Sequence, residues 1–93
     1  TLSLELAPFG VTVNNVLPGF TETERLFSLI RSKAEKEGKS EEEVARSMKM
    51  EAPAGRFGTS EEIASLVAFL ATPAAAYING TSIPVDGGRT GSI

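Results

Sequence analysis

The chain has 93 residues, 41% of them apolar, with a formal net charge of −3 and neither cysteine nor histidine. That length allows one small domain at most. The charge balance lacks the basic stripe a nucleic-acid partner needs, and the missing residue types remove disulfides, thiol chemistry and the commonest metal ligands.

Residues 1 to 7 alternate leucines as a strand would, yet Leu2 and Leu6 also share a helix face. A helix end closed by Pro8 and Gly10 is the preferred reading. Val11 to Leu17 then reads as a buried strand, in which the adjacent Asn14 and Asn15 need hydrogen-bond partners. Pro18-Gly19 turns the chain. Thr21 and Glu24 stand in capping-box spacing, with Thr23 as the alternative cap, and open a helix that runs to about Glu37 and ends at Gly38.

Ser40 and Glu43 mark a second cap, followed by a short helix with Val44, Ala45 and Met48 on one face. Its acidic run Glu41-Glu42-Glu43 falls in the first turn, where negative charge is favoured. Pro53, Gly55 and Gly58 break the chain. Thr59 and Glu62 then cap the most regular helix, Thr59 to Ala71, whose stripe is Ile63, Leu66, Val67 and Leu70. One further turn is expected over 74–77. Asn79-Gly80 turns into a closing strand from Thr81 to Asp86, and Pro84 within it belongs at a sheet edge or on the unpaired side.

Two strands separated by helices should be parallel, with a right-handed crossover. A two-stranded parallel sheet needs further strands and cover on both faces, expected from an upstream part of the chain or from another chain. The sequence starts with Thr1 inside an apparent element, and it reads as a piece of a longer protein. It holds no long apolar run and no basic segment before one, so a soluble cytoplasmic protein with no membrane partner is expected.

Three patterns in order, VNNVLPGFTET, PAGRFGTSEEIASLVAFLAT and INGTSIPVDGG, resemble the C-terminal part of the short-chain dehydrogenase/reductase family. Within that family the PGFTETERL wording is similar to 3-oxoacyl-[acyl-carrier-protein] reductases. The resemblance implies an α/β fold, the C-terminal part of a Rossmann-type doubly wound parallel sheet, carrying its last two strands plus lid helices. Residues 1–93 would be a fragment of one such domain, with a substrate-lid segment at about 21–57.

The family pattern makes Pro18, Gly19, Thr21 and Thr23 cofactor-binding, against the NADP or NAD nicotinamide. Thr21 stands where an aliphatic residue is usual and is expected to act through its backbone. The family's Gly-rich loop, catalytic Ser and Tyr-x-x-x-Lys are not in these 93 residues. The only tyrosine, Tyr77, is followed four places on by Thr81.

Each feature also has a plainer reading. The turn is then an ordinary strand-to-helix connection, and Asn14 a structural hydrogen-bonding residue. Phe20, Leu26, Phe27, Ile30, Met48 and Met50 line an apolar cleft under a lid or, the favoured reading, pack two amphipathic helices. Arg56 with Glu61 or Glu62 reads as a loop-to-helix ion pair. Asp86-Gly87-Gly88 serves as a ligand loop or a strand-ending turn. By family position, Leu66, Phe69 and Ile83 would meet another subunit in a dimer or tetramer.

The expected function is part of an NAD(P)-dependent reductase acting on a small-molecule or carrier-bound carbonyl. The rival is a non-catalytic truncated folding and assembly module without cofactor affinity. A helical DNA-binding domain fails on charge.

Overall fold

The computed structural model describes residues 1–91. α1 (Leu2–Leu6) runs into a 3-10 turn at Ala7–Phe9, which Gly10 closes at φ 74°. The helix reading of the first segment therefore holds, and proline with a left-handed glycine ends it.

β1 is Asn15–Pro18, shorter than the strand expected over Val11 to Leu17. It is not buried either: Val11 is 43% and Leu17 50% exposed. The apolar run has the right type for an interior strand, but the described residues provide only one neighbour. That neighbour is β2 (Ser82–Val85), trimmed by one residue at each end relative to expectation. The two strands pair in parallel, with Asn15 opposite Ser82 and Pro18 opposite Val85. Asn15 N–H donates to the Thr81 carbonyl at 2.8 Å and Gly19 N–H to the Val85 carbonyl at 2.9 Å. The odd-numbered residues of β2 thus face β1, so the ring nitrogen of Pro84 points away, as its missing donor requires.

Asn14 is the structural residue anticipated. Its amide donates to the Ile78 carbonyl at 3.1 Å and accepts from Thr81 through both the backbone N–H, at 3.1 Å, and the hydroxyl, at 2.7 Å. Asn79 mirrors it by accepting from Val13 N–H and donating to the Ser3 carbonyl. The entrances of both strands are tied by side-chain amides. Asn15 is exposed rather than buried.

α2 (Glu24–Glu37) is capped by Thr23, whose hydroxyl accepts from Leu26 N–H at 3.2 Å, and ends at Gly38 with φ 64°. Thr21 is not the cap: its hydroxyl donates to the Gly19 carbonyl at 3.0 Å, inside the turn. α3 (Glu41–Lys49) starts at Ser40, which accepts from Glu43 N–H at 3.1 Å. The second capping box is only half formed, because Glu43 bonds the Ser40 hydroxyl instead of its backbone N–H.

The core lies between these two helices and the loop after them. Leu26, Ile30 and Ala34 of α2 meet Val44 and Met48 of α3, and Phe57 closes the cluster, with Phe20 and Ala45 against its side. Helical spacing puts each set on one stripe. Of the cleft candidates, Leu26, Ile30 and Met48 are thus packing residues, whereas Phe27 and Met50 are exposed.

α4 (Ser60–Leu70) carries the full capping box expected of Thr59 and Glu62. None of its residues is buried among the described residues, and Val67 and Phe69 are both exposed. The turn expected over 74–77 is a 3-10 turn at Pro73–Ala75. The chain is elongated, 55 × 24 × 23 Å, with a radius of gyration of 16.8 Å. A globule of this length would have a radius of about 12 Å. The helical hairpin is self-packed; the strand pair and α4 are not.

Candidate functional site

The carboxy ends of two parallel strands are where open α/β sheets place ligands. Here β1 runs into Pro18-Gly19-Phe20-Thr21-Glu22-Thr23, and α4 stands opposite. Between them lies an open groove of about 1240 Å³. Pro18, Gly19, Thr21 and Thr23 all line it on one side, with Ile63 and Val67 of α4 on the other. The α4 residues were read from sequence only as a packing stripe, because nothing local shows which face the turn approaches. A separate cavity of about 80 Å³ beneath Phe20 and Phe57 is far smaller than a cofactor site.

The turn is held by backbone pairing. Gly58 N–H donates to the Phe20 carbonyl and Glu22 N–H to the Gly58 carbonyl, both at 2.9 Å, which makes a parallel bridge between Thr21 and Gly58. In such a bridge the groups on either side of Thr21 are consumed, and its own N–H and C=O point the other way. No hydrogen bond among the described residues engages them. Thr21 therefore presents an adjacent donor and acceptor, the complement of a primary carboxamide. Thr23 uses its oxygen as an acceptor for Leu26 N–H and keeps its O–H free to donate.

Gly19 does not sit in the left-handed region. A Cβ there would lie 2.7 Å from Asp86 Cβ and 2.8 Å from Asp86 Cα. Close approach of the strand ends requires this glycine. The sequence reading assigned the same need to a ligand.

Asp86 organises the turn after β2. Partial burial works to raise its carboxyl, but the backbone N–H groups of Gly88, Thr90 and Arg89 and the Thr90 hydroxyl together outweigh this and hold it below the ordinary 3.8. This is a strand-ending turn that buttresses Gly19.

Arg56 and Glu62 form the expected ion pair. The guanidinium donates from Nη1 at 2.7 Å and Nη2 at 2.8 Å to the two carboxylate oxygens, and Thr59 N–H adds a bond at 2.9 Å. Glu61 takes no part in it. The Arg56 hydrogen bond, reinforced by Thr59 N–H, lowers the Glu62 carboxyl from 4.5 to about 2. The same bond raises the Arg56 guanidinium. A carboxyl depressed on folding stabilises fully above the ordinary value and loses that contribution as pH falls through the folded value. The wild type should thus show an acid-dependent loss between about pH 4.5 and 2 that is smaller in Glu62→Gln, read from urea midpoints across that range.

No group of His, Cys, Asp or Glu among the described residues is arranged to hold a metal ion. No helix among them is long and apolar enough to cross a membrane. Tyr77 is fully exposed.

A parallel strand pair linked through helices, with a groove at the strands' carboxy ends, defines part of a Rossmann-type doubly wound α/β domain. The chain belongs to the short-chain dehydrogenase/reductase family. Over residues 1–90 it matches the family described as enoyl-(acyl carrier protein) reductase. It is similar to the NADPH-dependent reductase BacG of Bacillus subtilis, 38% identical over 92 residues, covering 99% of this chain and 36% of the relative. It is similar also to the 3-oxoacyl-[acyl-carrier-protein] reductase FabG of Vibrio cholerae, 43% identical over 88 residues, covering 95% of this chain and 32% of the relative. A crystal structure of a short chain dehydrogenase family protein from Francisella tularensis superposes with a TM-score of 0.93 at 36% identity, over 98% of this chain and 38% of that one. The chain spans about a third of the length of the curated relatives it matches.

Proposed function

We propose that residues 1–93 form the C-terminal fragment of a Rossmann-type domain in an NAD(P)-dependent short-chain reductase that interconverts a carbonyl and a hydroxyl. Its contribution is one wall of the nicotinamide pocket and a substrate lid over about 21–57. The observation that carries this reading is the free donor–acceptor pair of Thr21, on the same groove wall as Pro18, Gly19 and Thr23. A bound nicotinamide would supply the hydride. This chain's residues orient it: Thr21 N–H and C=O grip a carboxamide, Thr23 O–H donates to an oxygen of the cofactor, and Gly19 lets the strand ends close behind them. The proton donor and the diphosphate loop belong to other parts of the family's fold.

The substrate class we favour is a 3-oxoacyl thioester, on the wording of the turn and the similarity to the Vibrio cholerae reductase. We place the protein in the cytoplasm as a homodimer or homotetramer, assembled through α4 and the edge strand at Leu66, Phe69 and Ile83, of which Phe69 is exposed.

Thr23 gives a test that separates folding from binding. Thr23→Asp keeps a side-chain acceptor for Leu26 N–H but has no hydroxyl to donate, so the melting temperature should hold while NADPH affinity falls about tenfold, or about 1.4 kcal/mol. Thr23→Val should lose both the cap, about 1 kcal/mol, and the affinity. Fluorescence titration of NADPH and thermal melts of the complete polypeptide read the two effects. Undiminished affinity in Thr23→Asp would remove Thr23 from the site.

The rival reading, a truncated assembly module, predicts oligomers with no nucleotide affinity. The same titration with and without the upstream sequence separates the two.

A further inference from the structure

Arg89 lies outside every pattern the sequence singled out, yet it lines the groove and touches both the turn at Phe20 and the segment after α3 at Glu51. Its root is fixed. Gly87 and Gly88, at φ 62° and 90°, carry the chain flat across residues 52–55. A Cβ on Gly87 would lie 2.9 Å from Ala54 Cβ, and one on Gly88 would lie 3.2 Å from Pro53 Cγ. Ala54 N–H donates to the Gly87 carbonyl at 3.0 Å. The Asp86 carboxylate accepts from Gly88 N–H at 3.0 Å and Thr90 N–H at 3.2 Å, bracketing Arg89.

From this root the guanidinium reaches in two directions. Its Cζ sits 4.6 Å from the centroid of the Phe20 ring. Its Nη2 and Nε donate to Glu51 Oε1 at 2.9 and 3.3 Å. Phe20 is the residue between Gly19 and Thr21, and its ring meets Phe57 edge-on at 6.3 Å and 85°. Glu51 lies just beyond α3, on the lid side.

We propose that Arg89 is a positioning residue that couples the lid to the nicotinamide-side turn, holding Phe20 and Glu51 at once so that the groove closes over its ligand as one unit. This rests on the function proposed above. An exposed ion pair alone contributes little, and here the side chains are 44% and 43% exposed. The shared group is what matters. A planar guanidinium stacks on a ring with its face and donates with its edge, whereas a lysine ammonium is a point charge that serves one partner at a time.

The test compares wild type, Arg89→Met, Arg89→Lys and Glu51→Gln in the complete polypeptide. Hydrogen exchange is followed over 19–23 and 51–58, with NADPH and an acetoacetyl thioester as probes. Arg89→Met should speed exchange in both segments about three- to tenfold and raise the KM for the thioester by a similar factor, with kcat little changed. Glu51→Gln should loosen 51–58 while leaving 19–23 and NADPH affinity as they were. Arg89→Lys should recover one contact and not both.

Unchanged exchange over 19–23 in Arg89→Met overturns the coupling, as does wild-type behaviour of Arg89→Lys. Should the wild type bind no NADPH, the functional reading fails, and the exchange data still decide whether Arg89 couples the two segments. Arg89→Lys, which keeps the charge but serves one partner at a time, keeps that decision available if Arg89→Met does not fold.

Discussion

Replacing Gly19 by alanine should lower the affinity for NADPH by about tenfold or more and destabilise the fold by about 1–3 kcal/mol. The added methyl would stand 2.8 Å from Asp86 Cα, a backbone atom that cannot rotate aside. The strand ends are also anchored where the overlap falls, by Gly19 N–H on the Val85 carbonyl at 2.9 Å. Relief requires β1 and β2 to part at their carboxy ends, which moves Phe20 and Thr21 away from their bridge to Gly58. Stability and affinity therefore fall together. Thermal melts and NADPH titrations of the complete polypeptide check both, and an alanine variant that binds and melts like the wild type would show that the strand ends are looser than described.

Phe57→Ala should be the most damaging single change to the helical hairpin, costing about 3–5 kcal/mol. Phe57 is 5% exposed and completes the cluster of Leu26, Ile30, Ala34, Val44 and Met48. Its ring also packs edge-on against Phe20 and lies 5.3 Å beneath the Lys49 ammonium. Truncation leaves a cavity at the point where the helical hairpin meets the turn. Urea unfolding of the complete polypeptide gives the cost directly. A loss below about 1 kcal/mol would mean that the hairpin collapses onto the vacated space.

Local chemistry was legible. Thr23, Ser40 and Thr59 cap the three longer helices because a cap depends only on residues two or three places on. The turn glycines and Pro84 behaved in the same way. Burial was legible within the helical hairpin, where Leu26, Ile30, Ala34, Val44 and Met48 pack on the faces their spacing predicts, but not where it depends on what lies across space. Val11 to Leu17 has the composition of an interior strand, yet its first residues lie outside the strand pair and Leu17 stands exposed. α4 has a full capping box and an apolar stripe, and it buries no residue among those described.

The core residue that spacing could not mark is Phe57, an isolated aromatic in a glycine-containing loop. At the candidate site, the four turn residues were proposed through the family pattern, and all four line one side of the groove. The reason for Gly19 changed from ligand approach to strand approach. Arg89 was missed altogether, since its partner Glu51 is 38 residues away in sequence.

We propose that the turn from Pro18 to Thr23 forms the wall of a nicotinamide pocket. The most direct test is a fluorescence titration of NADPH against the complete polypeptide, run beside Thr23→Asp and Gly19→Ala. We predict saturable binding by the wild type, weakened about tenfold in each variant. Saturable binding that neither substitution weakens, or no binding by the wild type, would contradict it.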